Sequence, residues 1–126
     1  MLKIYEYAGC STCKKALKFL DEREVTYQKI AIVDQPPSLH ELRRMSLGFK
    51  GDFKKLFNTA GLVYRELGLK EKIKKMSEED ALQLLAKHGK LVKRPFVLLS
   101  KDQTSKEEPV GLLGFREEEW KAIFGR

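Results

Sequence analysis

The chain has 126 residues and a formal net charge of +7, with 42% hydrophobic and 34% charged residues. This length and composition predict one globular domain with a sizeable core. No apolar run reaches membrane-spanning length, and Lys3 and Glu6 interrupt the N-terminal stretch where a signal peptide would need a continuous apolar region. These features predict a cytoplasmic protein with no membrane partner.

The positive charge would suit a nucleic acid, an anionic substrate or an acidic protein partner. Direct nucleic-acid binding is disfavoured because the sequence contains no helix-turn-helix, zinc finger or aromatic RNP-like strand. The densest basic run, residues 70–75, includes a glutamate and no aromatic residue, which indicates a solvated helix face or turn.

The first predicted elements are a strand and a helix joined by a short break. Residues 2–7 alternate apolar with polar or charged positions, as a half-buried strand does. From Ser11 onward, apolar residues recur at three- and four-residue spacing on one helical face. Cys10 therefore lies at or just before the helix N-terminus, where the hydroxyls of Ser11 and Thr12 are predicted to cap the first turn.

Cys10 and Cys13 form a Cys-x-x-Cys motif at this junction. A helix N-terminus carries unpaired N–H groups and a partial positive charge, and Lys14 and Lys15 add charge nearby, so a thiolate is favoured over a thiol. Cys10 is therefore predicted to be a nucleophile at neutral pH. Cys13, one helical turn later, is positioned to attack a mixed disulfide on Cys10 and resolve it.

Two other interpretations of the cysteine pair are weaker. A zinc site would have to recruit His40 and His88, which are far apart in sequence and lack the spacing of paired histidine ligands. Two buried, inert cysteines are the second alternative. A cysteine pair at a strand-to-helix junction of a cytosolic protein more often has a redox or catalytic role, so no metal site is predicted.

A second strand and a helical segment come next. Residues 25–33 are rich in β-branched and aromatic side chains, and with the first strand and helix they predict a βαβ unit with a parallel strand pair. Residues 35–90 are predicted to be a helical insertion. A capping box that starts at Ser38 begins its first helix, and Ser77 begins its last, which ends near Gly89 as the C′ residue.

Strand patterns return near the C-terminus. Residues 91–99 predict a strand that Pro95 opens, because proline is tolerated best at the first position of a strand. Residues 100–109 predict a polar loop, residues 110–113 a final strand, and residues 117–124 a helix with acidic residues in its first turn.

This order of elements predicts an α/β fold with a thioredoxin/glutaredoxin-like core, a mixed four-stranded sheet and an inserted helical subdomain. Residues 1–34 and 91–126 form the predicted core, and residues 35–90 form the insertion. The whole chain, residues 1–126, is predicted to be one domain.

Six segments that are individually weak form a specific pattern when taken together. They are residues 9–16, 35–42, 56–68, 76–85, 91–95 and 114–115. In this order over essentially the whole chain, they resemble the arsenate reductase (ArsC)/Spx family of the thioredoxin superfamily, and in particular its arsenate-reductase-like branch. The resemblance implies that Cys10 is the nucleophile and that the Arg94–Pro95 peptide bond is cis. It also implies that Arg94 lies beside the Cys10 thiolate.

Arsenate reductases of this family hold the oxyanion with three arginines, because a guanidinium fork matches a tetrahedral oxyanion bidentately. The resemblance implies that Arg94 and Arg116 are two of these arginines. Ser11 and Thr12 complete the predicted anion-binding set.

Two departures from the family pattern bear on function. The position of the third arginine falls at Asn58, and the nearby Arg65 is the candidate to replace that arginine. The glutathione-coupled members have a serine at the position of Cys13, whereas this chain has an internal second thiol. A Cys10–Cys13 disulfide would be reduced again by glutathione, thioredoxin or glutaredoxin, and no bound cofactor is predicted.

The cysteine pair and the resemblance predict a thiol-disulfide oxidoreductase that acts on arsenate, a glutathione mixed disulfide or a protein disulfide. The alternative is a Spx-type transcriptional regulator that binds the C-terminal domain of the RNA polymerase α subunit and uses the cysteine pair as a redox switch. Residues 57–68 resemble the arsenate-reductase-like branch more than the regulators, which favours the enzyme.

Overall fold

A computed structural model describes residues 2–100 and 111–125. Its strands are β1 (Leu2–Glu6), β2 (Tyr27–Ala31), β3 (Phe96–Leu98) and β4 (Gly111–Leu113). Its α-helices are α1 (Ser11–Glu22), α2 (Leu39–Gly48), α3 (Leu62–Glu66), α4 (Leu69–Lys72), α5 (Glu78–Lys87) and α6 (Glu117–Phe124). Short 3₁₀ turns cover Phe53–Leu56, Ile73–Lys75 and Gly89–Leu91. Residues 101–110, which include most of the predicted polar loop, lie outside the described residues.

The sheet is mixed, with its strands in the order β2-β1-β3-β4. β1 and β2 are parallel, as expected for two strands that a helix connects. β1 pairs with β3, and β3 with β4, in antiparallel orientation. The predicted α/β fold with a mixed four-stranded sheet is therefore confirmed, although β2 and β3 are shorter than their predicted ranges.

Alternate residues of the strands contribute to two hydrophobic cores on opposite faces of the sheet. Leu2 and Ile4 of β1 pack in one core, which α1 and α6 cover, whereas Tyr5 packs in the other. The helix residues of the first core include Ala16, Phe19, Leu20 and Trp120. Those of the second core include Leu42, Met45, Leu82 and Leu85 from the helices between β2 and β3.

Glu41 connects the helical segment to the sheet. Its N–H donates to the Ser38 hydroxyl and its carboxylate accepts the Ser38 N–H, so the predicted capping box at the start of α2 is confirmed. The same carboxylate accepts hydrogen bonds from Lys3 Nζ at 2.7 Å and from the Tyr5 hydroxyl at 2.6 Å. Burial alone would raise the pKa of Glu41, but these hydrogen bonds outweigh it and lower that pKa.

The ends of α5 agree only partly with the predictions. Ser77 caps the helix through its hydroxyl, which accepts the Asp80 N–H at 3.1 Å, as predicted. Gly89 follows the C-cap residue but does not adopt the left-handed conformation of a C′ glycine, so that prediction is wrong. Gly89 is instead buried against the backbone of Ile32, where a Cβ atom would collide with the carbonyl oxygen. Close backbone approach is what requires a glycine here.

The C-terminal helix has its predicted bounds and packs through a fully buried Trp120. The indole Nε1–H of Trp120 donates to the carbonyl of Gly114 at 3.2 Å, and Gly114 has a φ of +71°. This turn leads from β4 to Arg116, the N-cap residue of α6. Among the helices of residues 2–100 and 111–125, none is both long enough and apolar enough to span a bilayer.

Candidate active site

The cysteine pair lies where α1 begins. Cys10 is the N-cap residue, and its Sγ accepts the backbone N–H of Cys13 at 3.3 Å. The prediction that Ser11 or Thr12 caps this turn is therefore wrong, because the sulfur takes the position that a hydroxyl oxygen usually occupies. The N–H of Cys10 donates to the carbonyl of Tyr7 at 3.0 Å. The sulfur consequently faces the positive end of the helix dipole.

The pKa values of the two thiols are shifted in opposite directions. Partial burial would raise the pKa of Cys10, but hydrogen bonds from Cys13 and from Arg94, together with the charge of Arg94, lower it overall. Cys13 is fully buried, and burial together with its hydrogen bond to Cys10 raises the pKa of Cys13 to about 12. The arrangement therefore favours the thiolate on Cys10 over a thiolate on Cys13.

Arg94 supplies the cation beside Cys10. The charge of Arg94 lowers the pKa of Cys10, and its guanidinium carbon lies 4.9 Å from the centre of the Tyr7 ring. Tyr5 of β1 is opposite Phe96 of β3 in an antiparallel pair, so the residues just before β3 lie next to those just after β1. The Arg94–Pro95 peptide bond is cis, as the resemblance implied.

Cys10 lines a cleft of about 660 Å³. Five of the predicted site residues line it: Cys10, Thr12, Asn58, Arg94 and Arg116. Four other predicted site residues are not part of its lining: Cys13 and Pro95, which are buried, and Ser11 and Arg65, which are exposed on α1 and α3. The structure thus brings both predicted anion-binding arginines to the cysteine that was predicted as nucleophile, but it does not bring Arg65 there.

Three lysines that no sequence pattern singled out also line the cleft: Lys54, Lys55 and Lys93. With Arg94 and Arg116 they make five basic side chains around one opening. Within residues 2–100 and 111–125, no aspartate or glutamate contributes to this lining. The cleft is therefore suited to an anion.

The lysines reach the cleft because two distant segments pair through their backbones. The N–H of Lys93 donates to the carbonyl of Leu56, and the N–H of Asn58 donates to the carbonyl of Leu91, both at 2.7 Å. This pairing places the 3₁₀ turn Phe53–Leu56 beside the residues that precede β3. In the sequence, the adjacent basic residues at 54–55 and at 93–94 are the only signal, and they resemble ordinary solvated charges.

A second cavity of about 360 Å³ adjoins the cleft, since Asn58 and Arg94 line both. Tyr7, Leu62 and Val63 give it an apolar wall. Leu62 is 65% exposed, so an apolar surface continues outward from the neighbourhood of the cysteine pair.

In the part of the chain that the structure describes, no group of three or more His, Cys, Asp or Glu side chains is arranged to hold a metal ion. Both cysteines are free thiols.

Comparisons with known proteins give similarities over nearly the whole chain. The model of the ArsC family matches residues 5–123. The chain is 43% identical to the uncharacterized protein YusI of Bacillus subtilis over 95% of each protein. It is 26% identical to the global transcriptional regulator Spx of Streptococcus pyogenes serotype M1, covering 100% of this chain and 87% of that one. A crystal structure of an ArsC family related protein from Bacteroides fragilis superposes with a TM-score of 0.83 at 40% identity, covering 97% of this chain and 96% of that one.

Proposed function

The chain belongs to the ArsC family, and from this premise we propose that it is a thiol-disulfide oxidoreductase with Cys10 as nucleophile and Cys13 as resolving thiol. The observation that carries the proposal is the Cys10 sulfur at the N-terminus of α1, which accepts the Cys13 N–H and shares its cleft with Arg94. Family membership confirms the predicted thioredoxin-like fold. Because the relatives include a transcriptional regulator, family membership alone does not define the activity, and the site geometry is what supports it.

The proposed reaction begins when the Cys10 thiolate attacks one sulfur of a disulfide. A Cys10 mixed disulfide forms, and the other sulfur leaves as a thiolate that takes a proton from water. Cys13 then gives up its proton and attacks Cys10 Sγ, which releases the second thiolate and closes a Cys10–Cys13 disulfide. The protein loses two electrons and the substrate gains them. Thioredoxin, glutaredoxin or glutathione would return two electrons to the protein.

The order of the two attacks follows from the acidities of the two thiols. While Cys10 is a thiolate, its hydrogen bond and its charge help to keep Cys13 protonated. Formation of the mixed disulfide removes that negative charge, whereas the opposing positive charge of Arg94 remains. Cys13 is therefore easier to deprotonate at the step in which it has to attack.

Arsenate is a second candidate substrate, because an anion in the cleft would meet Arg94, Arg116 and Thr12, although the predicted Ser11 does not line it. The third arginine position of the family falls at Asn58, whose uncharged amide cannot replace a guanidinium fork. Arg65 does not line the cleft, so we do not assign it this role.

Two serine variants test the proposed roles of the cysteines. Cys10→Ser is expected to abolish disulfide reduction, because an alcohol is not ionised at neutral pH. Cys13→Ser is expected to retain the first attack and to accumulate a mixed disulfide on Cys10, detected by mass spectrometry of the intact protein. Full activity of both variants would exclude the proposal.

Arsenate reduction is measured separately with the reduced protein, supplying thioredoxin or glutathione with glutaredoxin as alternative donors and Cys10→Ser as the blank. Turnover with thioredoxin alone would support use of the Cys10–Cys13 pair. Turnover with glutathione would make Cys13 dispensable. The absence of turnover with either donor would leave disulfides as the substrate class.

A redox-switched transcriptional regulator is the second candidate, favoured by 26% identity to Spx over the full chain. In that case the protein would bind the C-terminal domain of the RNA polymerase α subunit, and oxidation of the cysteine pair would change the affinity. A binding measurement with the purified domain and the reduced and oxidised protein tests it. Lack of binding in both states would exclude it.

We place either function in the cytoplasm, where free thiols such as this pair are maintained.

A further inference from the structure

The cleft beside Cys10 is larger than a small oxyanion requires. A tetrahedral oxyanion displaces about two or three waters of ~30 Å³ each. The cleft measures about 660 Å³, within the range of pockets that hold drug-sized molecules. A ligand that reacts at Cys10 can therefore extend well beyond the sulfur.

The charges in the cleft are not confined to the neighbourhood of Cys10. The charge of Arg94 acts on Cys10, whereas Lys54 and Lys55 belong to the helical segment, on a 3₁₀ turn that is distant from Cys10 in sequence. Lys93 adds a further charge where that segment pairs with the residues before β3. One cation is enough to stabilise one thiolate, so the additional lysines are available for other negative groups.

Apolar surface lies among these charges. Phe49, Phe57, Phe115 and Leu113 contribute to the lining, and Lys55 Nζ lies 5.6 Å from the centre of the Phe49 ring. Such a cleft matches a molecule with a flexible, partly apolar body and two or more negative groups at a distance from its reactive sulfur.

We propose that Lys54, Lys55 and Lys93 select the substrate by binding the carboxylates or phosphates of an anionic, low-molecular-weight disulfide while Cys10 attacks its sulfur. This inference rests on the proposed function and names its substrate class. Disulfides whose thiol halves carry carboxylates and those whose halves carry phosphates share this chemistry.

The electron balance is that of the proposed reaction. Cys10 Sγ forms a bond to one substrate sulfur, the substrate S–S bond breaks, and the first half leaves as a thiolate. Attack by Cys13 then releases the second half. Reduced protein and one disulfide give oxidised protein and two thiols, so a single turnover needs no further reductant.

Single-turnover kinetics test the inference. Pre-reduced protein is mixed with glutathione disulfide (carboxylates), coenzyme A disulfide (phosphates), hydroxyethyl disulfide (neutral) or cystamine (cationic). Each second-order rate constant is divided by that of the same disulfide with a small uncharged thiol, which removes differences in intrinsic reactivity. We expect at least one anionic disulfide to be favoured over the neutral one and cystamine to be disfavoured. We also expect the preference to fall as salt is added.

Lysine variants then assign the preference to the proposed residues. Lys54→Gln, Lys55→Gln and Lys93→Gln are each expected to lower the ratio of the anionic to the neutral rate constant by about two- to fivefold. Lys72→Gln removes the same charge from an exposed helix position that lines neither cavity, and is expected to leave the ratio unchanged.

The outcomes separate this inference from the proposed function. Equal normalised rates for neutral and anionic disulfides, or equal effects of the cleft and control lysines, would overturn the inference while leaving the oxidoreductase proposal intact. Failure of every disulfide to oxidise the cysteine pair would overturn both. A preference limited to glutathione disulfide or to coenzyme A disulfide would support the inference and identify carboxylates or phosphates as the recognised groups.

Discussion

The two sides of the cleft are built differently. On the sheet side, Cys10 is the N-cap of α1, Arg94 lies two residues before the start of β3, and Arg116 is the N-cap of α6. Each of these residues adjoins an element that packs in a hydrophobic core. On the helical side, Lys54 and Lys55 are exposed on a short 3₁₀ turn.

This difference corresponds to two physical requirements. Attack of one sulfur on another needs the reacting atoms in a narrow range of distance and direction, so the sheet side has to be rigid. Attraction between charges falls off gradually with distance and depends little on orientation, so flexible lysines are adequate on the helical side. Reactivity and substrate preference can therefore reside in different parts of the chain.

The largest expected effect is the loss of folding when the helical side is separated from the sheet. We propose that residues 35–90 are an insertion within one domain, because their core includes the sheet residues Tyr5, Ile30 and Phe96. Residues 35–90 made alone are expected to lack a cooperative thermal transition by circular dichroism, whereas the full chain shows one. A cooperative transition in the isolated segment would contradict this prediction.

The next largest effect is a loss of stability when a buried residue is truncated at the point where the two sides join. Leu56 is fully buried, and its carbonyl accepts the N–H of Lys93 in the pairing with the residues before β3. Leu56→Ala is expected to lower the free energy of unfolding by about 2–5 kcal/mol in urea titrations. Leu62→Ala makes the same truncation at a position that is 65% exposed, and is expected to change stability by less than about 0.5 kcal/mol. Similar effects of the two variants would show that Leu56 does not anchor the turn.

Glu41 is the second point at which the helical side is joined to the sheet, and it is predicted to make the stability of the fold depend on pH. Hydrogen bonds from Lys3, Tyr5 and Ser38 make the pKa of Glu41 lower in the folded state than in the unfolded state. The stabilisation is therefore complete above the unfolded value, near ~4.3, and is lost as the pH falls through the folded pKa.

At neutral pH, Glu41→Gln is expected to lower the free energy of unfolding by about 1–2 kcal/mol, and the difference from the parent protein should disappear in acid. Urea titrations across pH measure it, with Glu22→Gln on an exposed face of α1 as the control. A difference that persists unchanged in acid would rule out the carboxylate as its source.

The smallest expected effect concerns the acidity of Cys10 on the sheet side. Because its pKa is lowered, the Cys10 thiolate persists to a lower pH than the thiolate of an ordinary cysteine. Arg94→Gln is expected to shift the pH profile of iodoacetamide alkylation at Cys10 upward, with a rate about two- to fivefold lower in mildly acidic buffer. Arg65→Gln should leave the profile unchanged, because Arg65 does not line the cleft. Equal profiles for Arg94→Gln and the parent protein would contradict the assigned role of Arg94.

Local sequence patterns predicted much of the structure because they depend on residues close together in the chain. The Ser38 capping box, the bounds of α6 and the position of the Cys-x-x-Cys motif at the start of α1 follow from hydrogen bonds or packing within a few residues. The role of Gly89 could not be predicted in this way. A glycine is needed at position 89 because the backbone of Ile32, which is distant in sequence, lies against it.

The sequence by itself determined the fold class, the family and the cysteine pair with its strand-to-helix setting, because periodicity, capping and motif spacing are short-range properties. Only the tertiary structure decided which charges surround Cys10. Lys54 and Lys55 reach the cleft through backbone hydrogen bonds between residues 56–58 and 91–93, and Arg65, although closer to Arg94 in sequence, remains outside it. Side-chain charge is visible in a sequence, but the backbone pairing that brings distant charges together depends on the packing of the whole domain.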